Sequence, residues 1–179
     1  MKRAVSLLLL IAVLLTGTLA GCGETPEPDY SRLIEALTDI SPDLLLTEAE
    51  VSAAVGTPMT LQGCFDEGTL AYYTANPDAA LAEATVSVSL EKRDAAAVRA
   101  LGEERPCDSR VTDLGETGGY WYGDVNAEEE EDLPLTGELL VGDSGYALDV
   151  AVTGAPNPYN AAVTIAEALL GHLHEQRNE

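Results

Sequence analysis

The chain has 179 residues, 31 acidic against nine basic ones, a formal net charge of −22 and a mean hydropathy near zero. Its length suits one domain with a sizeable core. A surface this acidic repels phosphate backbones and anionic headgroups, which excludes nucleic acid as a partner and a polybasic mode of membrane docking.

Lys2 and Arg3 precede an apolar run over residues 4–15, which ends near Leu19-Ala20-Gly21-Cys22. A run of about a dozen apolar residues is a secretory h-region and falls short of the roughly 20 needed to span a bilayer. The four residues that follow have the form of a lipobox. The expectation is therefore a lipoprotein signal over residues 1–21, removed on export, with Cys22 acylated and the protein held on the outer face of the bacterial cytoplasmic membrane. Cleavage takes two of the nine basic residues and none of the 31 acidic ones, so the mature charge is −24 and Lys92 is the last lysine. Residues 22–29, with Pro26 and Pro28, read as a tether. As a coil it reaches only about 15 Å, so the domain stays near the membrane.

The domain is expected over residues 30–174, with 175–179 as a frayed tail. Tyr30, Leu33, Ile34, Leu37 and Ile40 fall on one helical face, and Ser41-Pro42-Asp43 ends that helix. Thr47 with Glu50 forms a capping box, Leu46 and Val51 stand at staple positions, and Gly56 before Pro58 stops the helix. Short strands follow over residues 59–65, 69–74 and 84–90. In the last of these, Ala84, Val86, Val88 and Leu90 alternate with polar residues, the pattern of a half-buried strand. Asp94 caps a short helix ending at Gly102. Residues 110–114 and 118–125 read as extended, and 135–154 as a hairpin turning at Gly142-Asp143-Ser144-Gly145. Asn157 and Pro158 open a closing helix whose apolar stripe runs from Tyr159 to Leu173. The fold class expected is α+β: a mostly antiparallel sheet packed with two N-terminal helices and one C-terminal helix.

Cys64 and Cys107 remain once Cys22 is lipidated. In an exported protein an even pair reads as a disulfide, here closing a loop of about 44 residues and contributing roughly 4 kcal/mol. A metal site or a reactive thiol are the other uses of two cysteines, but no histidine stands near either one at zinc-ligand spacing.

Catalytic signatures are sparse. Gly142-Asp143-Ser144-Gly145 matches the nucleophile segment of trypsin-like proteases, yet both histidines lie downstream of the serine, and between two strands the tetrapeptide is turn chemistry. His172 and His174 are two apart on a helix and do not form an i, i+4 metal pair. The acidic run Glu128-Glu129-Glu130-Glu131-Asp132 lacks the spacing and glycine of a calcium loop and reads as a solvated loop within residues 124–132. No cofactor or metal is expected. The clustered aromatics Tyr72, Tyr73, Tyr120, Trp121 and Tyr122 are the candidate ligand-binding residues. Alternation puts Tyr120 and Tyr122 on one face, and core packing is the competing use for them.

The segment Leu44-Leu45-Leu46-Thr47-Glu48-Ala49-Glu50-Val51-Ser52-Ala53-Ala54-Val55-Gly56 resembles the opening motif of small actinobacterial secreted lipoproteins of unknown function. It is similar also to the extracellular sensor domain of mycobacterial receptor Ser/Thr kinases. Both groups follow this helix with a strand, mid-chain cysteines and a closing helix. The resemblance implies a sensing or accessory role without catalysis. The function expected is a membrane-anchored, non-catalytic domain that binds a small ligand or an envelope protein. The alternatives are a carboxylate-dependent envelope hydrolase and a purely structural surface lipoprotein.

Overall fold

Period-two alternation builds the sheet. In β3 (Thr85–Lys92), Val86, Val88 and Leu90 are buried while Ser87, Ser89 and Glu91 face the other way, and β7 (Tyr146–Thr153) repeats this with Leu148, Val150 and Val152 inside. The two strands pair antiparallel in the middle of the sheet, Val88 opposite Val150. The structure, a computed structural model, describes residues 40–78, 83–123, 134 and 136–177. These belong to one compact unit, Asp39–Glu179. The elements are α1 (Pro42–Leu45), α2 (Glu48–Val55), β1 (Thr60–Phe65), β2 (Leu70–Thr74), β3, α3 (Ala95–Glu103), β4 (Ser109–Val111), β5 (Gly119–Tyr122), β6 (Thr136–Asp143), β7 and α4 (Pro158–Arg177). Seven strands form one sheet in the order β1-β2-β3-β7-β6-β5-β4, and every neighbouring pair is antiparallel. The α+β class expected from sequence is the class observed.

One face of the sheet carries the main core. The stripe of α4, with Ile165, Ala166, Leu169 and Leu173 buried, packs there beside Val51 and Val55 of α2. The capping box is formed: Thr47 Oγ1 accepts from the Glu50 amide at 3.3 Å, and the Glu50 carboxylate accepts from the Thr47 amide at 2.9 Å. Gly56 takes the left-handed conformation that ends α2. Asn157 Oδ1 caps α4 by accepting the Asn160 amide at 3.0 Å. The β6–β7 hairpin turns on Ser144 and Gly145, both at positive φ, the geometry of a type I′ turn whose twist matches the strands.

The second face is covered over half its width. Helix α3, capped by Asp94, lies across β5 and β6, burying Val98 and setting Gly102 against the Tyr120 ring. Over β2 and β3 this face has no helix on it among the described residues, and α3 reaches as far as β7.

One expectation, the disulfide, is corrected. Cys64 and Cys107 are both free. Cys64 lies on β1 at one end of the sheet, and Cys107 precedes β4 at the other. Six strand spacings separate those edges, roughly 29 Å, against the 7 Å limit between α-carbons for a disulfide. Partial burial, with Asp43 beside it, also raises the Cys64 thiol above its ordinary pKa, so it is not an activated nucleophile. The intact mass of the mature protein should be unchanged by reduction, and alkylation of the denatured chain should label both residues; a shift of about two hydrogens on reduction would contradict the strand order. At the other end of the chain the described helix continues past His174. Helix α4 runs to Arg177 because His174 Nε2 lies 2.5 Å from Asp143 Oδ2 and Arg177 donates to Ser144 O at 2.6 Å, tying the last turn to the hairpin. Ser41-Pro42-Asp43, expected to end one helix, starts another, with Pro42 in the first turn of α1 where its missing amide costs nothing. The lipobox with Cys22, the tether, the helix expected over residues 30–40 and the acidic loop 124–132 lie outside the described residues, save Ile40.

Candidate functional site

Four of the five candidate aromatics turn out to be core. Tyr73 is fully buried, donates from Oη to Leu46 O at 3.3 Å, and has its phenol pushed up to about 12 chiefly by that burial. Trp121 packs on the helix side, 5.4 Å from Tyr159 in an edge-to-face arrangement. Tyr120 and Tyr122 do share a face, but α3 covers it: Tyr122 Oη donates to Gly102 O at 2.8 Å, and Tyr120 is 2% exposed. Among the described residues they line neither of the two concavities described below. Tyr72 alone is half-exposed, on the uncovered half of the second face.

That uncovered half holds a trough of about 310 Å³. Its floor comes from the polar positions of the alternating strands, Ser87 and Ser89 of β3 with Asp149 of β7, and its rim includes Asp66 and Leu70. At the α3 end stands Glu138 of β6. Leu140 is the residue directly opposite Asp149, so Glu138 is its diagonal neighbour, and the two carboxyls lie within hydrogen-bonding reach. Arg105, just beyond α3, closes this end. Its guanidinium donates to Glu138 Oε2 at 2.5 Å and lies 3.8 Å over the Tyr122 ring.

The electrostatics follow from crowding two acids beside one cation. Burial, then the Glu138 charge and hydrogen bond, push the Asp149 carboxyl up to about 8, while Arg105 opposes the shift. At neutral pH the Asp149 carboxyl thus keeps its proton, a donor beside the Glu138 carboxyl at the trough. The sequence contained a sign of this. Around Asp149 the outward positions of β7 are Ala147 and Ala151, residues too small for an ordinary solvated face, and an acid between them is out of pattern.

A second concavity, about 450 Å³, lies between the α1–α2 segment and the end of α4, lined by Leu44, Thr47, Glu50, His172 and Glu175. Its polar groups are already engaged. Glu50 accepts from His172 Nε2 at 2.8 Å and from both Thr47 donors, which together hold its carboxyl down to about 2, and the same contact raises His172. This is a helix cap tied to α4. Glu50→Ala should cost about 1–2 kcal/mol at pH 6, the scale of a lost cap. Because the Glu50 pKa is depressed, that loss should shrink as the pH falls from 4.5 towards 2 in a denaturant titration; a loss independent of pH would contradict the assignment. Among the described residues no three His, Cys, Asp or Glu side chains converge to hold a metal, and no helix is long and apolar enough to cross a membrane.

No protein-family model matches this chain, and no curated protein matches it. Among solved structures it is similar to the extracellular domain of PknH from Mycobacterium tuberculosis. The two share 15% identity and a TM-score of 0.45, over 74% of this chain and 93% of that one. Ser144, the serine of the protease-like tetrapeptide, sits at positive φ in the hairpin turn, and its neighbour Asp143 is paired with His174. The turn reading accounts for the backbone geometry there.

Proposed function

We propose that this protein is a lipid-anchored envelope domain that binds, without catalysis, a ligand or partner presenting cationic groups to the open half of its sheet. The anchor rests on Leu19-Ala20-Gly21-Cys22, with an acylated Cys22 in the outer face of the cytoplasmic membrane. The observation that carries the binding reading is the Glu138–Asp149 pair in the trough, where an ammonium or guanidinium group would displace the Asp149 proton and accept both carboxylates as partners. The flanking Ser87 and Ser89 hydroxyls supply further hydrogen bonds.

Two measurements test it. Labelling with a palmitate analogue should mark the protein, and Cys22→Ser should release it from the membrane fraction. Calorimetry with spermidine and with an arginine-containing tripeptide should show binding that Asp149→Asn weakens about tenfold; equal binding by the variant overturns the trough as the site. A second reading is favoured by the same carboxyl: an acid protonated at pH 7 is what a general acid requires. Turnover of chromogenic aryl glycosides or esters that disappears in Asp149→Asn would establish the hydrolase instead.

A further inference from the structure

The two ends of the sheet are built differently, and we propose from this that the β1 edge docks an extended, lysine- or arginine-bearing segment of a partner protein, added to the sheet as a further strand. At the far end, β4 is three residues long and carries Arg110, whose guanidinium lies 3.4 Å over the Tyr120 ring and donates to Thr117 O at 2.9 Å. A short edge bearing a cation is a protected edge. The β1 strand is six residues, Thr60–Phe65, with no proline, no charge, and among the described residues only β2 as a strand neighbour. A bulge between Leu61 and Gly63, together with Glu48 Oε1 accepting the Leu61 amide at 2.8 Å, closes its first half to pairing. Among the described residues, the second half, towards Phe65, is the stretch left open.

Apolar side chains flank that stretch on both sheet faces. Phe65, 50% exposed, pairs across from Leu70 on the trough side. Leu44, 73% exposed, belongs to α1 on the helix side, where Ser41 Oγ comes within 3.7 Å of Cys64 Sγ. An added strand projects successive side chains to alternate faces, so its neighbouring residues would meet Phe65 on one side and the α1 surface on the other.

Charge selects the occupant. From Ile40 to Glu91 the sequence has no lysine, arginine or histidine, and Asp43, Glu48, Asp66 and Glu67 surround the edge. The described arginines lie in the other half of the domain and are engaged there: Arg93 with Glu91, Arg99 with Glu116 O, Arg105 with Glu138, Arg110 with Thr117 O, Arg177 with Ser144 O. A second copy of this chain would bring the same acids against these and be repelled, whereas a basic strand is attracted. The Glu138–Asp149 end of the trough is separate from this edge, since β7 lies three strands in from β1, while the opposite rim at Asp66 and Leu70 adjoins it.

The test uses the full chain and fluorescein-labelled hexapeptides, read by anisotropy at low salt. A peptide alternating lysine with valine should bind, its glutamate counterpart at least tenfold more weakly. N-methylation of alternate amides, which keeps the charge and removes strand pairing, should cost at least tenfold. Phe65→Ser and the turn variant Asp66→Lys with Glu67→Lys, all at exposed positions, should each weaken binding at least threefold, while Asp149→Asn should leave it unchanged. Equal binding of the N-methylated peptide would mean charge attraction alone and overturn the proposal. So would loss of binding in Asp149→Asn, which places the peptide in the trough, a dimer by sedimentation that Phe65→Ser dissolves, or no binding at all.

Discussion

Gly137→Ala should destabilise the protein by about 2–3 kcal/mol, lowering the melting temperature by roughly 5–10 °C, although it adds one methyl group. Gly137 lies on the core face of β6, and the Trp121 ring lies flat against it. A β-carbon there would fall inside the van der Waals radii of the ring atoms Cη2 and Cζ2. The indole has nowhere to retreat, being 8% exposed and packed edge-on against Tyr159 at the start of α4. Trp121 is the single tryptophan, so its fluorescence reports the displacement directly. Gly171→Ala is the control. It adds the same methyl group on α4 where nothing lies within 4 Å, and should stabilise by up to about 1 kcal/mol through helix propensity. If both variants moved stability in the same direction, the packing of Trp121 over β6 would be wrong.

Asp149→Asn should stabilise the protein only as the pH rises. The Asp149 carboxyl is raised from 3.8 to about 8 in the folded protein, so between those values the folded state keeps a proton that the unfolded state gives up. Stability from this group therefore falls as pH rises through that window and levels off above it. A shift of this size, discounted for the half-open site, corresponds to a loss on the order of 3 kcal/mol by pH 9. The amide cannot ionise and still donates to Glu138. The variant should therefore be near wild type at pH 5 and melt roughly 5–10 °C higher at pH 9. His172, also raised, contributes in the same direction: its share is present below 6.5 and lost above, leaving a residual slope in the variant. Melting curves at pH 5, 7 and 9 decide this. Parallel pH dependence in the two proteins would rule out a proton held on Asp149 beside Glu138.

These two expectations rest on parts of the molecule that differ in how far the sequence reveals them. The Thr47–Glu50 box, Gly56, Asn157 with Pro158 and the Ser144–Gly145 turn each involve groups within four residues of one another, and each formed as read. Alternation in β3 and β7 likewise marked which side chains enter the core, because the pleat is a local property. Aromatic clustering was legible, but its use was not. Tyr120 and Tyr122 share a face as expected, yet the face is covered by α3, which depends on how a helix some twenty residues earlier docks.

The sequence by itself determined the element types, their caps, the α+β class and the candidate lipid anchor, all from interactions of short range along the chain. Only the tertiary structure decided strand order, and strand order decided the rest. Placing β7 between β3 and β6 set Asp149 beside Glu138 and Ser89. Sending β1 and β4 to opposite edges parted Cys64 from Cys107 by the width of the sheet. Neither outcome has a local signature, because which strands become neighbours is settled by burial of whole faces against α4, an energy summed over the entire core.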